Sequence, residues 1–87
     1  MTREEIVKAA QEFLAHEFPN RGAEVRALDL AAPLFDLGLV DSLSFLGLVS
    51  ELEARFGIAV PPEDFTPARF RTLEAIASYV LQARSVG

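Results

Sequence analysis

The chain of 87 residues contains no cysteine, no tryptophan and a single histidine. Without thiols there is no disulfide, no thiolate metal site and no thiol nucleophile. His16 and a scatter of separate carboxylates leave too few ligands for a metal centre, and none is expected. No apolar run approaches a membrane span, so membrane insertion is not expected. Met1-Thr2-Arg3-Glu4-Glu5 lacks the basic start and apolar stretch of a signal peptide, which makes the cytoplasm the expected compartment. Lys and Arg are scarce, eight against thirteen Asp and Glu, for a net charge of −5. Nucleic acid demands the opposite balance and is excluded as a partner.

Hydrophobic residues make up 51% of the chain and charged ones 24%, which suits a folded domain rather than disorder. One small domain over residues 1–87 is the expectation. The apolar pattern reads as helix throughout. Thr2-Arg3-Glu4-Glu5 fits a capping box, and Ile6, Val7, Ala10, Phe13 and Leu14 form one stripe behind it. That helix should stop near His16 or Glu17, before Phe18-Pro19-Asn20-Arg21-Gly22. The long connection up to Val40 carries Val25, Leu28, Leu30, Leu34, Phe35, Leu37 and Leu39, so it must pack rather than hang as a linker. Within it, Leu28-Asp29-Leu30 is too short for a strand.

A second helix is predicted from Ser42 to Phe56, with Asp41 as N-cap and Gly57 past its end. Phe45, Leu48, Val49, Leu52 and Phe56 make its core stripe; Leu43, Gly47, Ser50, Glu51 and Ala54 lie opposite, with Leu46 on a flank. Ile58-Ala59-Val60-Pro61-Pro62 should be extended. Thr66 followed by Pro67 predicts a short third helix from Pro67 to Phe70. Thr72 then caps a last helix with Leu73, Ile76, Ala77, Val80 and Leu81 inward. The expected fold is all-α, a small four-helix bundle with a long first loop and a short third helix.

Chemistry gathers at Gly38-Leu39-Val40-Asp41-Ser42-Leu43. Ser42 sits at the first turn of a helix, where unpaired amides and the dipole favour a phosphate ester on its hydroxyl. A serine there can equally be a plain capping residue. Ser44 lies further in and reads as surface filler. His16 has no oxyanion hole or pocket to make a Ser-His-Asp hydrolase, and complements the dipole at a helix end instead. Phe35, Phe45 and Phe56 fit core packing better than a ligand cavity. Residues 41–64 hold Asp41, Glu51, Glu53, Glu63 and Asp64 against Arg55 alone, a balance of −4. This predicts an acidic docking face for partners with basic patches.

Leu37-Gly38-Leu39-Val40-Asp41-Ser42-Leu43, Leu52-Glu53-Ala54-Arg55-Phe56-Gly57-Ile58, Val60-Pro61-Pro62-Glu63 and Thr72-Leu73-Glu74-Ala75-Ile76 together resemble the acyl and peptidyl carrier proteins. The likeness runs over about residues 3 to 84 and is strongest from 34 to 80. It implies a carrier domain without catalytic activity of its own. On it, Ser42 would receive 4′-phosphopantetheine from coenzyme A through a phosphopantetheinyl transferase, and the arm's thiol would hold cargo as a thioester. The absence of cysteine agrees, since the thiol must be borrowed. Further implied partners are an acyl- or aminoacyl-activating ligase and a downstream transferase or synthase, met transiently by a monomer. Asp41 would cap the helix and help position the transferase's metal and coenzyme; Leu43, Leu46, Gly47 and Glu51 would form the recognition surface.

Fatty-acid-type carriers read G-x-D-S-L, whereas Gly38-Leu39-Val40-Asp41-Ser42 has one residue more. That spacing is similar to D-alanyl carrier proteins and other stand-alone aminoacyl carriers, which favours aminoacyl or secondary-metabolite cargo. The rival functions are an unmodified acidic helical adaptor and a hydrolase using Ser42 directly.

Overall fold

Each long helix starts at a residue whose side chain can accept from its first amides. The computed structural model describes residues 1–86, with α1 (Arg3–Glu17), α2 (Gly22–Arg26), α3 (Ser42–Phe56) and α4 (Leu73–Val86). Single 3-10 turns lie at Pro19–Arg21, Pro62–Asp64 and Pro67–Phe70. At α1, Thr2 Oγ1 accepts from the Glu5 amide at 3.2 Å and Glu5 returns a carboxylate to the Thr2 amide at 2.8 Å, closing the expected capping box. At α4, Thr72 Oγ1 accepts from the Ala75 amide at 3.0 Å.

The all-α bundle expected from the sequence is observed, with three differences of detail. The long connection contains α2, five residues that the stripe pattern could not separate from loop. The short third helix over Pro67–Phe70 is 3-10 rather than α, and Thr66 makes no side-chain cap bond to it. Its purpose is burial: Phe70 is wholly inaccessible. The connection does pack, through buried Leu34, Leu39 and Val40, yet Leu30 and Leu37 stay exposed.

Two long-range backbone bonds stitch this connection to α4. The Leu34 amide donates to Arg71 O at 2.9 Å, and the Glu74 amide donates to Leu30 O at 3.0 Å. The second bond satisfies a first-turn amide of α4 that has no partner inside its own helix. α1 lies centrally against α2, α3 and α4. Between them Ile6, Leu14, Leu48, Leu52, Leu73, Ile76 and Val80 fill the core with the loop's Leu34 and Leu39. Beside this aliphatic centre an aromatic row runs from the loop to α4. Phe45 stacks at 5.5 Å on Phe35, 4.8 Å on Phe65 and 5.4 Å on Phe70, and Phe70 lies 5.0 Å from Tyr79. Such pairs add about 0.5–1.5 kcal/mol each beyond area burial. Phe35 and Phe45 are thus packing residues, as the helical spacing suggested, while Phe56 is only half-buried. The radius of gyration, 11.9 Å, matches the ~12 Å of a fully folded chain of this length. Among the described residues no helix is long and apolar enough to cross a membrane.

Candidate functional site at the head of α3

The approach to α3 is held before the helix begins. In residues 33–39 the backbone folds on itself, with Leu37, Gly38 and Leu39 amides donating to Pro33, Phe35 and Leu34 carbonyls at 3.0 to 3.1 Å. Gly38 takes φ +73°, a conformation that costs residues with a Cβ about 1–2 kcal/mol. Arg21 straps this turn from outside: its Nη2 donates to Leu37 O at 2.7 Å, while Nε and Nη2 grip Glu24 at 2.9 and 2.8 Å. The fork lowers the Glu24 pKa and raises that of Arg21, through the hydrogen bond between them. Leu39 and Val40 then plunge into the core. The chain therefore enters α3 on a fixed course.

Asp41 follows with extended backbone (φ −127°, ψ −173°) and caps the helix. Its Oδ1 accepts from the Leu43 amide at 3.1 Å and the Ser44 amide at 2.9 Å. The Ser44 hydroxyl accepts from the Asp41 amide at 2.8 Å and donates to Asp41 Oδ1 at 3.1 Å. Hydrogen bonds from the Ser44 amide and then its hydroxyl, with a smaller part from the Leu43 amide, lower the Asp41 pKa. Ser44 is accordingly not surface filler. It is 5% exposed and closes a reciprocal capping box that Asp-x-x-Ser could have signalled, had serine been read in the place usually held by Glu or Gln.

Ser42 stands between these two residues. It is exposed, it is the first residue of α3, and its Oγ makes no hydrogen bond to any described residue. This is a free primary hydroxyl on a rigid corner, which is what covalent attachment of a phosphodiester arm requires of the chain. The first-turn amides expected to welcome a phosphate are partly engaged, because Leu43 and Ser44 already donate to Asp41.

The expected recognition residues divide between two sides of α3. Leu43 and Leu46 project into solvent beside Ser42, 80% and 53% exposed. Gly47 instead faces α1, where an added Cβ would come within 2.9 Å of Phe13 Cζ. Glu51, half-buried, lies 3.6 Å from Arg55 Nε, and Arg55 also reaches Glu12 of α1 at 3.2 Å. The surface next to Ser42 therefore combines the exposed apolar Leu43 and Leu46 with the exposed carboxylate of Asp41. Of the other acids, Glu53 accepts from the Val60 amide at 2.9 Å, and Asp64 holds Tyr79 Oη at 2.9 Å and Arg69 at 3.2 Å. Much of the −4 balance of residues 41–64 is tied into the fold. His16, exposed in the last turn of α1, lies on another helix from Ser42.

Residues 20–80 match the family described as phosphopantetheine attachment site. The chain is 41% identical over 49 residues to the D-alanyl carrier protein of Streptococcus suis, covering 56% of this chain and 62% of that protein. It is 38% identical over 52 residues to the D-alanyl carrier protein of Streptococcus thermophilus, with 60% and 66% covered. With the D-alanyl carrier protein of Lacticaseibacillus casei the identity is 32% over 63 residues, 72% and 78% of the two chains. The match thus spans just under two thirds of the length of the first two relatives.

Proposed function

The chain belongs to the phosphopantetheine-attachment family, close to the D-alanyl carrier proteins, and on that premise we propose that it is an aminoacyl carrier whose arm is borne by Ser42. The observation that carries this reading is the free, exposed Ser42 hydroxyl at the first position of α3, inside the matched segment. Ser42 Oγ attacks the phosphorus of coenzyme A that bears the pantetheine. The Oγ–P bond forms as the anhydride P–O bond breaks, the adenosine bisphosphate half leaves, and the serine proton passes to a base of the transferase. Once attached, the arm supplies a thiol that holds cargo as a thioester. The chain's own work is mechanical. Asp41 and Ser44 fix the helix start, Arg21 fixes the turn before it, and Leu43 and Leu46 offer enzymes an apolar landing strip beside the arm.

Aminoacyl cargo is favoured over fatty acyl by the relatives' names and by the Gly38-Leu39-Val40-Asp41-Ser42 spacing. Partners on this reading are a phosphopantetheinyl transferase, an amino-acid-activating ligase and a downstream transferase, met in turn by a cytoplasmic monomer without catalysis of its own. Intact mass spectrometry tests the core of the reading. Incubation with coenzyme A, magnesium and a promiscuous phosphopantetheinyl transferase should add one phosphopantetheine to the wild type and none to Ser42→Ala. A wild type that gains no mass refutes the carrier function. With the arm in place, an amino-acid-activating ligase and ATP should load a hydroxylamine-labile aminoacyl group.

A further inference from the structure

We propose that Ser44 is a positioning residue for the modification of Ser42, acting through Asp41; this rests on Ser42 being the attachment point. Ser44 is buried, and its single hydroxyl holds Asp41 at two places at once. It accepts from the Asp41 amide at 2.8 Å and donates to the Asp41 carboxylate at 3.1 Å. The backbone and side chain of the residue preceding Ser42 are thereby fixed together.

The carboxylate is held asymmetrically. The Leu43 amide, the Ser44 amide and the Ser44 hydroxyl all converge on Oδ1, at 3.1, 2.9 and 3.1 Å. Oδ2 receives none of these bonds, and Asp41 is an exposed residue. Three donors thus hold one oxygen to the first turn of the helix, and none of them engages the other. Transfer needs Ser42 Oγ in line with a P–O bond, and misplacement by about 1 Å can cost on the order of a hundredfold in rate. Ser42 Oγ has no hydrogen bond to a described residue to set its place, so its corner is set by Asp41 on one side and the first helical turn on the other. Ser44 closes the link between them while touching neither coenzyme nor enzyme.

The experiment uses the apo protein, a phosphopantetheinyl transferase and coenzyme A, comparing wild type, Ser44→Ala and Ser44→Thr, with Ile76→Val as a folded core variant of similar stability loss. Ser44→Ala should lower kcat for transfer about tenfold with KM for coenzyme A unchanged. NMR titration of Asp41 should show its carboxyl midpoint move upward, because the Ser44 hydroxyl is one of the donors that hold it down, while the Ser44 and Leu43 amides remain. Ser44→Thr, which keeps the hydroxyl, should stay within about twofold of wild type in kcat and restore the Asp41 midpoint. Ile76→Val should be modified at the wild-type rate. The inference is overturned if Ser44→Ala is modified as fast as wild type, if Ile76→Val loses as much, or if the rate falls while the Asp41 titration stays put. It is equally overturned if Ser44→Thr is no better than Ser44→Ala. A wild type that takes no arm refutes the attachment reading instead, so the two failures are distinct.

Discussion

At its head α3 is capped by its own neighbours, with every side-chain bond running between Asp41 and residues two or three positions on. At its tail the chain turns through Gly57 at φ +65°, and Arg84, 28 positions away on α4, donates to Phe56 O at 3.0 Å. Glu53 reaches forward from the last turns to the Val60 amide. The head is a local device with its outer surface open; the tail is sewn to the rest of the molecule. The cap itself is made within four residues, although the turn leading into it is held by Arg21 and by the burial of Leu39 and Val40; on the proposed function, Ser42 is offered from the end whose cap draws on no other helix.

Three substitutions or titrations would break or sharpen this contrast. The largest effect is expected at the tail. Gly57→Ala meets no clash, since the nearest atom is Arg84 Nη1 at 3.6 Å, but it places a Cβ in the left-handed region and should cost about 1–2 kcal/mol in urea unfolding. The rate of arm transfer to Ser42 should stay as in wild type. If that rate falls with stability, the two ends are coupled and the contrast fails. At the head, Asp41→Ala should lower Tm by roughly 5 °C, the usual scale for a lost N-cap in a domain this size. Here transfer to Ser42 should fall with it.

The smallest effect separates the ends by pH. The depressed Asp41 pKa means its contribution is present above the ordinary carboxylate range near ~4 and is lost as pH falls through its lowered value. Tyr79, which anchors the exit segment through Asp64, is pushed up to about 12, first by burial and then by its hydrogen bond to Asp64. Its contribution is present below the phenol's unfolded value of ~10 and is lost as pH rises from there through its folded value. Hydrogen exchange should therefore show the Leu43 and Ser44 amides loosening first in acid, and the Phe65 and Thr66 amides first in alkali. The same order at both extremes would contradict the local character of the head.

The sequence marked α3 from end to end, because an N-cap Asp, a 3.6-residue stripe and a terminal glycine are strong local signals that all agree. The Thr2 box and the last helix were legible for the same reason. What escaped depended on contacts between distant residues or on a side chain with two possible roles. Arg21 looked like part of a helix stop, and nothing local shows that its guanidinium reaches Leu37 O. Gly47 carries no sign that Phe13 will approach it. Nothing local to Glu53 or Asp64 shows that an amide and a phenol will hold them in place. Ser44 was half-legible: Asp-x-x-Ser permits a reciprocal cap, but only its burial shows that the hydroxyl is used. At the candidate site, then, the exposed hydroxyl was readable and its supports were not.

The occupied cap bears on how an arm on Ser42 behaves. Asp41 places a carboxylate where a phosphodiester would otherwise settle, and like charges repel at such short range. The arm is then a leash rather than a docked group, pivoting on a rigid corner with its far end free to sweep solvent. A leash of that kind holds its thiol at a local concentration on the order of millimolar over any catalytic pocket within reach, and the value drops as the distance outruns its length. On the proposed carrier function, partner enzymes would need to bind the domain only weakly and briefly, since the corner fixes the centre of the sweep and the arm does the searching.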